Sequence, residues 1–349
     1  TERAAGLAAL LGAALKKRPT AAAGDVVAVS RLESATTGTL LWTGSGSPPV
    51  PLASLGISPP VHAVAIALKD KKDEVKLSAA LARLIEEDPG LALEHAAGTH
   101  ELVLWGQGEM HLRVTLERLK RKYAVEADHR SRQVPYKETI RSSTEVRGRH
   151  KKQSGGHGQF GDVLVDIKPL PRGTGITFDE KIHGGTVPKQ YIPSVEIGVR
   201  DYMSKGPLGF PVVDVAVTLL DGSAHSVDSS DMAFRQAARL AMSEGMPKCN
   251  PVLLEPIMAV DIVTPSEATA RINTIVTQRR GQLLGFNPRD GWQGWDIVSA
   301  QIPESEMSGL IVDIRSATAG VGTYTAKFDH LQELTGRLAD DVIKAHRAT

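Results

Sequence analysis

From Val61 onward the hydrophobic positions fall into alternating stretches of strand-like and helix-like spacing. Val61, Val64, Ile66 and Leu68 predict a largely buried strand. Leu77, Leu81, Leu84 and Ile85 recur at i, i+4, i+7 and i+8, one face of a helix that stops before Pro89. Leu91 to His95 and Glu101 to Trp105 predict two short strands about a turn at Ala97-Gly98. Leu112, Leu116, Leu119 and Tyr123 then mark a second helix face, and Val125 begins a closing strand. The order is βαββαβ, a split βαβ sandwich of one sheet and two helices.

The same order returns from Ile257. A strand over Ile257 to Val263 leads into Thr264-Pro265-Ser266-Glu267, which spells a capping box with proline at the first helical position and predicts a helix towards Arg280. Strands follow around Gln282 to Phe286 and Trp295 to Ile302, then a short helix from Pro303 and an alternating strand over Thr323 to Phe328. A helix over Leu334 to His346 ends the pattern. Between the two units lies a strand-rich α+β stretch, Pro135 to Leu254. Val163, Val165 and Ile167 alternate, Ile192, Val195 and Val199 are helical in spacing, and Pro211 to Leu220 is a long apolar strand. Asp228-Ser229-Ser230 predicts the cap of a helix running through Met242. Ahead of the first unit a single strand is predicted, Val26 to Val29, followed by a Pro/Gly/Ser linker from Gly44 to Pro60. Further linkers near Pro135 and Pro256 would permit rigid-body movement.

Composition narrows the class. The chain has 349 residues, 41% hydrophobic and 23% charged, which is ordinary globular composition and enough for two or three domains. No apolar run approaches ~18 residues, so no membrane-spanning helix is predicted. The first residues lack both Met and a basic leader, and read as a segment cut from within a longer chain. The single cysteine, Cys249, excludes an internal disulfide and any multi-cysteine metal site, and fits a reducing cytoplasm. Net charge is +1, so any nucleic-acid contact must come from local patches. Walker-type phosphate loops, zinc-protease helices and nucleophile elbows are absent from the sequence.

Two loops carry candidate chemistry. Gly156-x-Gly158-x-x-Gly161 matches a dinucleotide fingerprint by letter, but it continues into Asp162-Val-Leu-Val-Asp-Ile167, a period-two strand and not a helix. What remains is a glycine loop between two strands, within a basic tract. Arg130 to Lys152 holds eight Lys/Arg and two Glu, an asymmetry suited either to phosphate contact or to a solvated strand edge. The second loop, Asp221 to Ser230, puts His225 at its tip, where the ring could meet a nucleobase. His225, Asp228 and Ser229 make a nucleophile–base set only in composition. His95, His100, His111 and His129 lack metal-ligand spacing. Trp292 and Trp295 suit either a binding platform or the packing of a β turn.

Read in order, these segments resemble the C-terminal two thirds of bacterial elongation factor G. The resemblance is carried by GDVVAV with TTGTLL, KLSAALARLIEEDPGL, GQGEMHLRVTLERLKRKY, KKQSGGHGQFGDV, GGTVPKQYIPSVEIGV, PVVDVAVTLLDGSAHSVDSSDMAF, TPSEATARINTIVTQRRGQLLG and RSATAGVGTYTAKFDHL. It implies an α+β multidomain chain: a partial β-barrel remnant over residues 1–56 and a ferredoxin-like third domain over 57–133. A ribosomal-protein-like fourth domain over 134–254 and a ferredoxin-like fifth domain over 255–349 complete it. It also implies that the fourth domain's tip enters the decoding centre during tRNA–mRNA translocation. By motif match the tip residues are Arg149, Lys151, Lys152, Gln153, Ser154, Gly155, Gly156, His157, Gly158, Gln159, Phe160, Ser223, His225 and Asp228.

The expected partners are the ribosome, its RNA and proteins, and the tRNA–mRNA pair, met by a cytoplasmic monomer without a membrane partner. GTP, Mg²⁺ and GTPase chemistry are expected of the parent's separate G domain, and no cofactor or catalysis of this portion. The family usually has Arg where His157 stands, an aromatic at Ala224 and often Tyr at Phe160. Those departures suggest a divergent paralogue, with ribosome recycling or ribosomal protection as the alternative role. A small-molecule kinase of the GHMP type shares the fourth domain's fold, but would need a glycine loop that opens a helix.

Overall fold

The computed structural model describes residues 4–12, 14–42, 58–68, 71–153 and 158–348. The fold divides into two compact units, one of residues 1–96 and 101–131 and the other of residues 97–100 and 132–349.

The first unit begins with β1 (Leu7–Leu11) and β2 (Ala14–Arg18), an antiparallel hairpin turned at Gly12, whose φ of 58° is left-handed. β3 (Ala28–Val29) pairs the other side of β1, giving a three-stranded sheet in the order β2-β1-β3. The pattern predicts one strand here and misses the hairpin. Leu7–Leu11 is a short, small-residue apolar run with no alternation to read. Nearly all of the Gly44 to Pro60 linker lies outside the described residues.

The βαββαβ order follows as predicted: β4 (His62–Leu68), α1 (Glu74–Glu87), β5 (Ala92–Ala96), β6 (Glu101–Gly106), α2 (Glu109–Tyr123) and β7 (Ala127–Arg130). The sheet order β5-β6-β4-β7 is that of a ferredoxin-like sandwich. Leu77, Leu81 and Leu84 of α1 and Leu112 and Leu119 of α2 close its core on Ile66 and Leu104. α2 ends where Ala124 turns left-handed, φ 52°.

The second unit opens with β8 (Lys137–Ile140), β9 (Thr144–Lys152), β10 (Gln159–Pro169) and β11 (Ile176–Glu180), then α3 (Ile192–Met203), β12 (Val215–Ser223) and α4 (Asp231–Gly245). Four of the strands form the sheet β11-β12-β10-β9, with β11 and β12 parallel. α3 and α4 close one core on it, through Val195, Val199, Phe234, Ala238 and Met242. α4 lies so near the hairpin that a Cβ on Gly148 would meet the Ala237 carbonyl oxygen at 2.2 Å, and one on Gly161 the Ala233 oxygen at 2.6 Å.

β13 (Pro251–Pro265), α5 (Thr269–Gln278), β14 (Gln282–Pro288), β15 (Trp295–Pro303), α6 (Leu310–Ala317) and β16 (Thr323–Leu334) complete a second ferredoxin-like sheet, β14-β15-β13-β16, and α7 (Arg337–Arg347) follows. Two expectations change here. Thr264 to Glu267 form no capping box: a 3-10 turn precedes α5, and the hydroxyls of Ser266 and Thr269 donate to the buried Asp296 carboxylate at 2.9 and 2.7 Å. Pro256 is no linker either. β13 runs unbroken across it: one edge pairs β8 up to Leu254 and β15 from Ile257, while on the other edge Pro256 itself pairs with Leu331 of β16.

Candidate nucleic-acid interface

The glycine loop and the histidine loop meet at one end of the central sheet. β9 and β10 form a regular antiparallel hairpin whose last described pair is Lys152 with Gln159. β12 lies on the other side of β10 and ends at Ser223, so its loop emerges beside the hairpin's. The two are joined by hydrogen bonds. The backbone N–H of Phe160 donates to the Asp228 carbonyl at 2.8 Å, the Ser229 hydroxyl donates to the Phe160 carbonyl at 2.9 Å, and the N–H of Gly158 donates to the Asp228 carboxylate at 3.1 Å. Ser229, a first-turn residue of the helix by sequence, is thus a bridge between loops. Ser230 caps α4, accepting from the N–H of Ala233 at 3.3 Å.

His225 is held by its own loop. Its Nδ1 accepts from the backbone N–H of Val227 at 3.3 Å and of Asp228 at 3.2 Å, and lies 3.4 Å from the Asp228 carboxylate. Its main-chain N–H donates to the Ser229 hydroxyl at 2.9 Å. That hydroxyl therefore meets the backbone of His225 and not its ring, and the three residues form no nucleophile–base relay. The imidazole is 53% exposed and sits 6.3 Å from the Phe160 ring between centroids.

The basic tract divides into two populations. Arg130 pairs with Glu101 at 2.9 Å, Arg132 with Glu304 and Arg141 with Glu333. Arg147 clasps Asp162 with two bonds of 2.9 Å each. Asp162 is buried. Burial pushes its carboxyl up, but the hydrogen bonds from Arg147 and from the Ser223 hydroxyl at 2.9 Å outweigh that and hold it below the usual range. Ser223, expected at the tip surface, thus serves this inner network. The second population faces outward. Arg149 lies over the Phe160 ring at 5.4 Å, while Lys151, Lys152 and Gln153 are exposed at the hairpin's end. Neither lysine forms an ion pair among the described residues. Gln159 is exposed and meets His150 at 3.0 Å. Ser154, Gly155, Gly156 and His157 lie outside the described residues.

Such a surface has cations, exposed amides and an imidazole N–H donor, all suited to phosphate and ribose oxygens. Among the described residues no cluster of His, Cys, Asp or Glu could hold a metal ion. No helix among them is long and apolar enough to cross a membrane. Trp292 and Trp295 pack edge to face at 5.3 Å around a turn, with Arg289 over Trp292 at 3.7 Å.

Three family models match consecutive parts of the chain: "Elongation Factor G, domain III" at residues 57–131, "Elongation factor G, domain IV" at 132–250 and "Elongation factor G C-terminus" at 252–342. The chain belongs to the elongation factor G family. It is 54% identical over 341 residues to an "Elongation factor G-like protein" of Synechocystis sp. (strain PCC 6803), a match covering 98% of this chain and 50% of that relative. A solved structure from Thermus thermophilus superposes with a TM-score of 0.79 at 37% identity, over 99% of this chain and 51% of the other. The chain thus spans about half the length of the relatives it matches. In the family's terms, the paired loops are the end of domain IV.

Proposed function

We propose that this chain is the ribosome-engaging portion of an elongation-factor-G-like GTPase, and that the tip of domain IV enters the decoding centre during tRNA–mRNA movement. In this reading the chain contributes binding and mechanical coupling. GTP and Mg²⁺ belong to the parent's G domain, and hydrolysis there drives the tip. The partners are ribosomal RNA and protein and the tRNA–mRNA pair, and the setting is the cytoplasm.

One observation carries the proposal. Lys151 and Lys152 stand exposed and free of ion pairs among the described residues, beside two loops that are tied into a single end. A mere strand edge needs lysines but not this coupling of the His225 loop to the hairpin. The family alternative, a recycling or protection factor, uses the same surfaces. It is favoured by Ala224, an exposed small side chain where the family usually has an aromatic.

The test is salt-dependent binding of the full-length parent factor to ribosomes, with and without Lys151→Glu/Lys152→Glu, at a fixed concentration of a non-hydrolysable GTP analogue. The expected result is a shallower slope of log K against log salt, by up to ~1 for each phosphate no longer neutralised. An unchanged slope and affinity would remove the lysines from the RNA interface. His225→Ala should then separate the two roles: loss of single-turnover translocation supports the translocase, and its retention with impaired subunit splitting supports recycling.

A further inference from the structure

The end of domain IV opposite the tip is held by a carboxylate that belongs to the C-terminal sheet. β10 spans eleven residues from Gln159 to Pro169, so the tip stands ~35 Å from the strand's far end. There the N–H of Leu170 donates to the Asp214 carbonyl at 2.8 Å, and the turn that follows carries Arg172. Arg141, just after β8, lies at the same corner. Both guanidiniums converge on Glu333 of β16. Arg141 donates to Oε2 through Nε at 3.1 Å and also through Nη2, while Arg172 donates to Oε1 through Nη2 at 2.6 Å. Each carboxylate oxygen is thus taken by a different cation. Hydrogen bonding to Arg141, aided by the charge of Arg172, holds the Glu333 carboxyl below its usual range. Arg172 also lies 3.9 Å from buried Asp214, which joins the clamp to the domain's interior.

The apolar packing of the junction lies one residue on, where buried Leu334 meets Phe210 and Leu253, and the ionic corner itself is open. A cleft of about 700 Å³ opens beside the ion pairs, lined in part by Ile140, Leu170 and Leu331. Next to this corner the fit is tighter. There β8 pairs with β13, and the His346 ring of α7 stacks on Phe210 at 4.3 Å. The junction therefore combines a fixed seam with an ionic clasp at its end. A pivot of ~5° about the seam would carry the tip through ~3 Å, given the length of β10.

We infer that Glu333 is a positioning residue: by clasping Arg141 and Arg172 together it sets the angle at which domain IV presents its tip. Its functional meaning rests on the reading of that tip as the nucleic-acid end; its conformational content does not. Each guanidinium holds a different oxygen of the carboxylate, so removing either cation alone should loosen the clasp.

The experiment is pulsed electron resonance on this chain, spin-labelled at Asp179→Cys in domain IV and Gln278→Cys in the C-terminal domain. Both positions are exposed, whereas the native Cys249 is fully buried and is left unlabelled. The labelled chain with Glu333 intact should give one narrow distance distribution. Glu333→Gln should broaden and shift it while the protein remains folded by circular dichroism, and Arg141→Gln should do so as well. An unaltered distribution in either folded variant would overturn the clasp. Because no ribosome is present, this outcome is independent of the lysine test above. A broadened distribution together with an unchanged salt slope for Lys151→Glu/Lys152→Glu would uphold the clasp and refute the tip as the RNA anchor.

Discussion

The backbone N–H of Gly158 donates to the carboxylate of Asp228 across 3.1 Å, and a Cβ placed on Gly158 would lie 2.8 Å from that same carboxylate. The bond joins two loops seventy residues apart, and it leaves no room for a side chain on the glycine. Gly158→Ala should therefore push the Asp228 carboxylate away and release the His225 loop. Asp228→Ala should do so by removing the acceptor, at a cost of ~1 kcal/mol in stability. The check is amide hydrogen exchange: protection at Gly158 and Phe160 should fall in both variants, while that of Val163 and Val165 stays as in the unsubstituted chain.

The Asp162 pair gives an acid-side signature. Its folded-state carboxyl lies below the unfolded value of ~3.9, so the pair's stabilisation is complete above that pH and is lost as pH falls through the folded value. Urea denaturation at pH 5 and pH 3 should show a drop in the unsubstituted chain that is smaller in Asp162→Asn. At pH 7 this variant should be destabilised by ~1–3 kcal/mol, because it forfeits the charged hydrogen bonds of Arg147.

Glu138 behaves in the opposite sense. It is fully buried, and its carboxylate oxygens accept from the N–H groups of Leu208 at 2.8 Å and Phe210 at 3.1 Å. Burial outweighs those bonds and raises its carboxyl to about 7. A raised acid stabilises the fold at low pH, and that contribution disappears as pH climbs through the folded value. The unsubstituted chain should lose up to ~3 kcal/mol between pH 5 and pH 8 from this group, and Glu138→Gln should flatten that slope. Thermal melts across the range would decide it, and a slope unchanged in the variant would contradict the assignment.

Gly148→Ala should be costly for a different reason. The added Cβ would stand 2.2 Å from the Ala237 carbonyl oxygen and 2.5 Å from the Ala241 nitrogen, both backbone atoms of α4. Helix and hairpin must separate to admit it, a loss of ~1–3 kcal/mol or more by urea denaturation. Gly173→Ala, a site with open space around it but φ of 83°, should cost less, ~1 kcal/mol from backbone strain alone.

Much of this architecture is legible in the spacing of apolar residues. Leu77, Leu81 and Leu84 declare a helix because they must all face Ile66 and Leu104, and the two βαββαβ units follow from such local rules. What spacing cannot convey is where a polar group finds its partner. The run from Arg130 to Lys152 is read as one basic tract. Yet Arg132 and Arg141 are claimed by Glu304 and Glu333, acids more than a hundred residues away, while Lys151 and Lys152 are left facing water. Ser229 looks like a helix-cap residue until Phe160 is seen beside it. Thr264 to Glu267 spells a capping box, but Asp296, arriving on another strand, takes the hydroxyls of Ser266 and Thr269.

β13 holds a last consequence. Its first residues hydrogen-bond with β8 of the central domain, and its remainder is a middle strand of the C-terminal sheet. The two domains therefore share a piece of chain that neither can surrender. A gene fragment ending near residue 250 would leave β8 without its ladder, and one beginning there would leave the front of β13 paired only on its β16 edge. Calorimetry on residues 132–349 should accordingly record one melting event in place of two, with domain IV and its neighbour unfolding together.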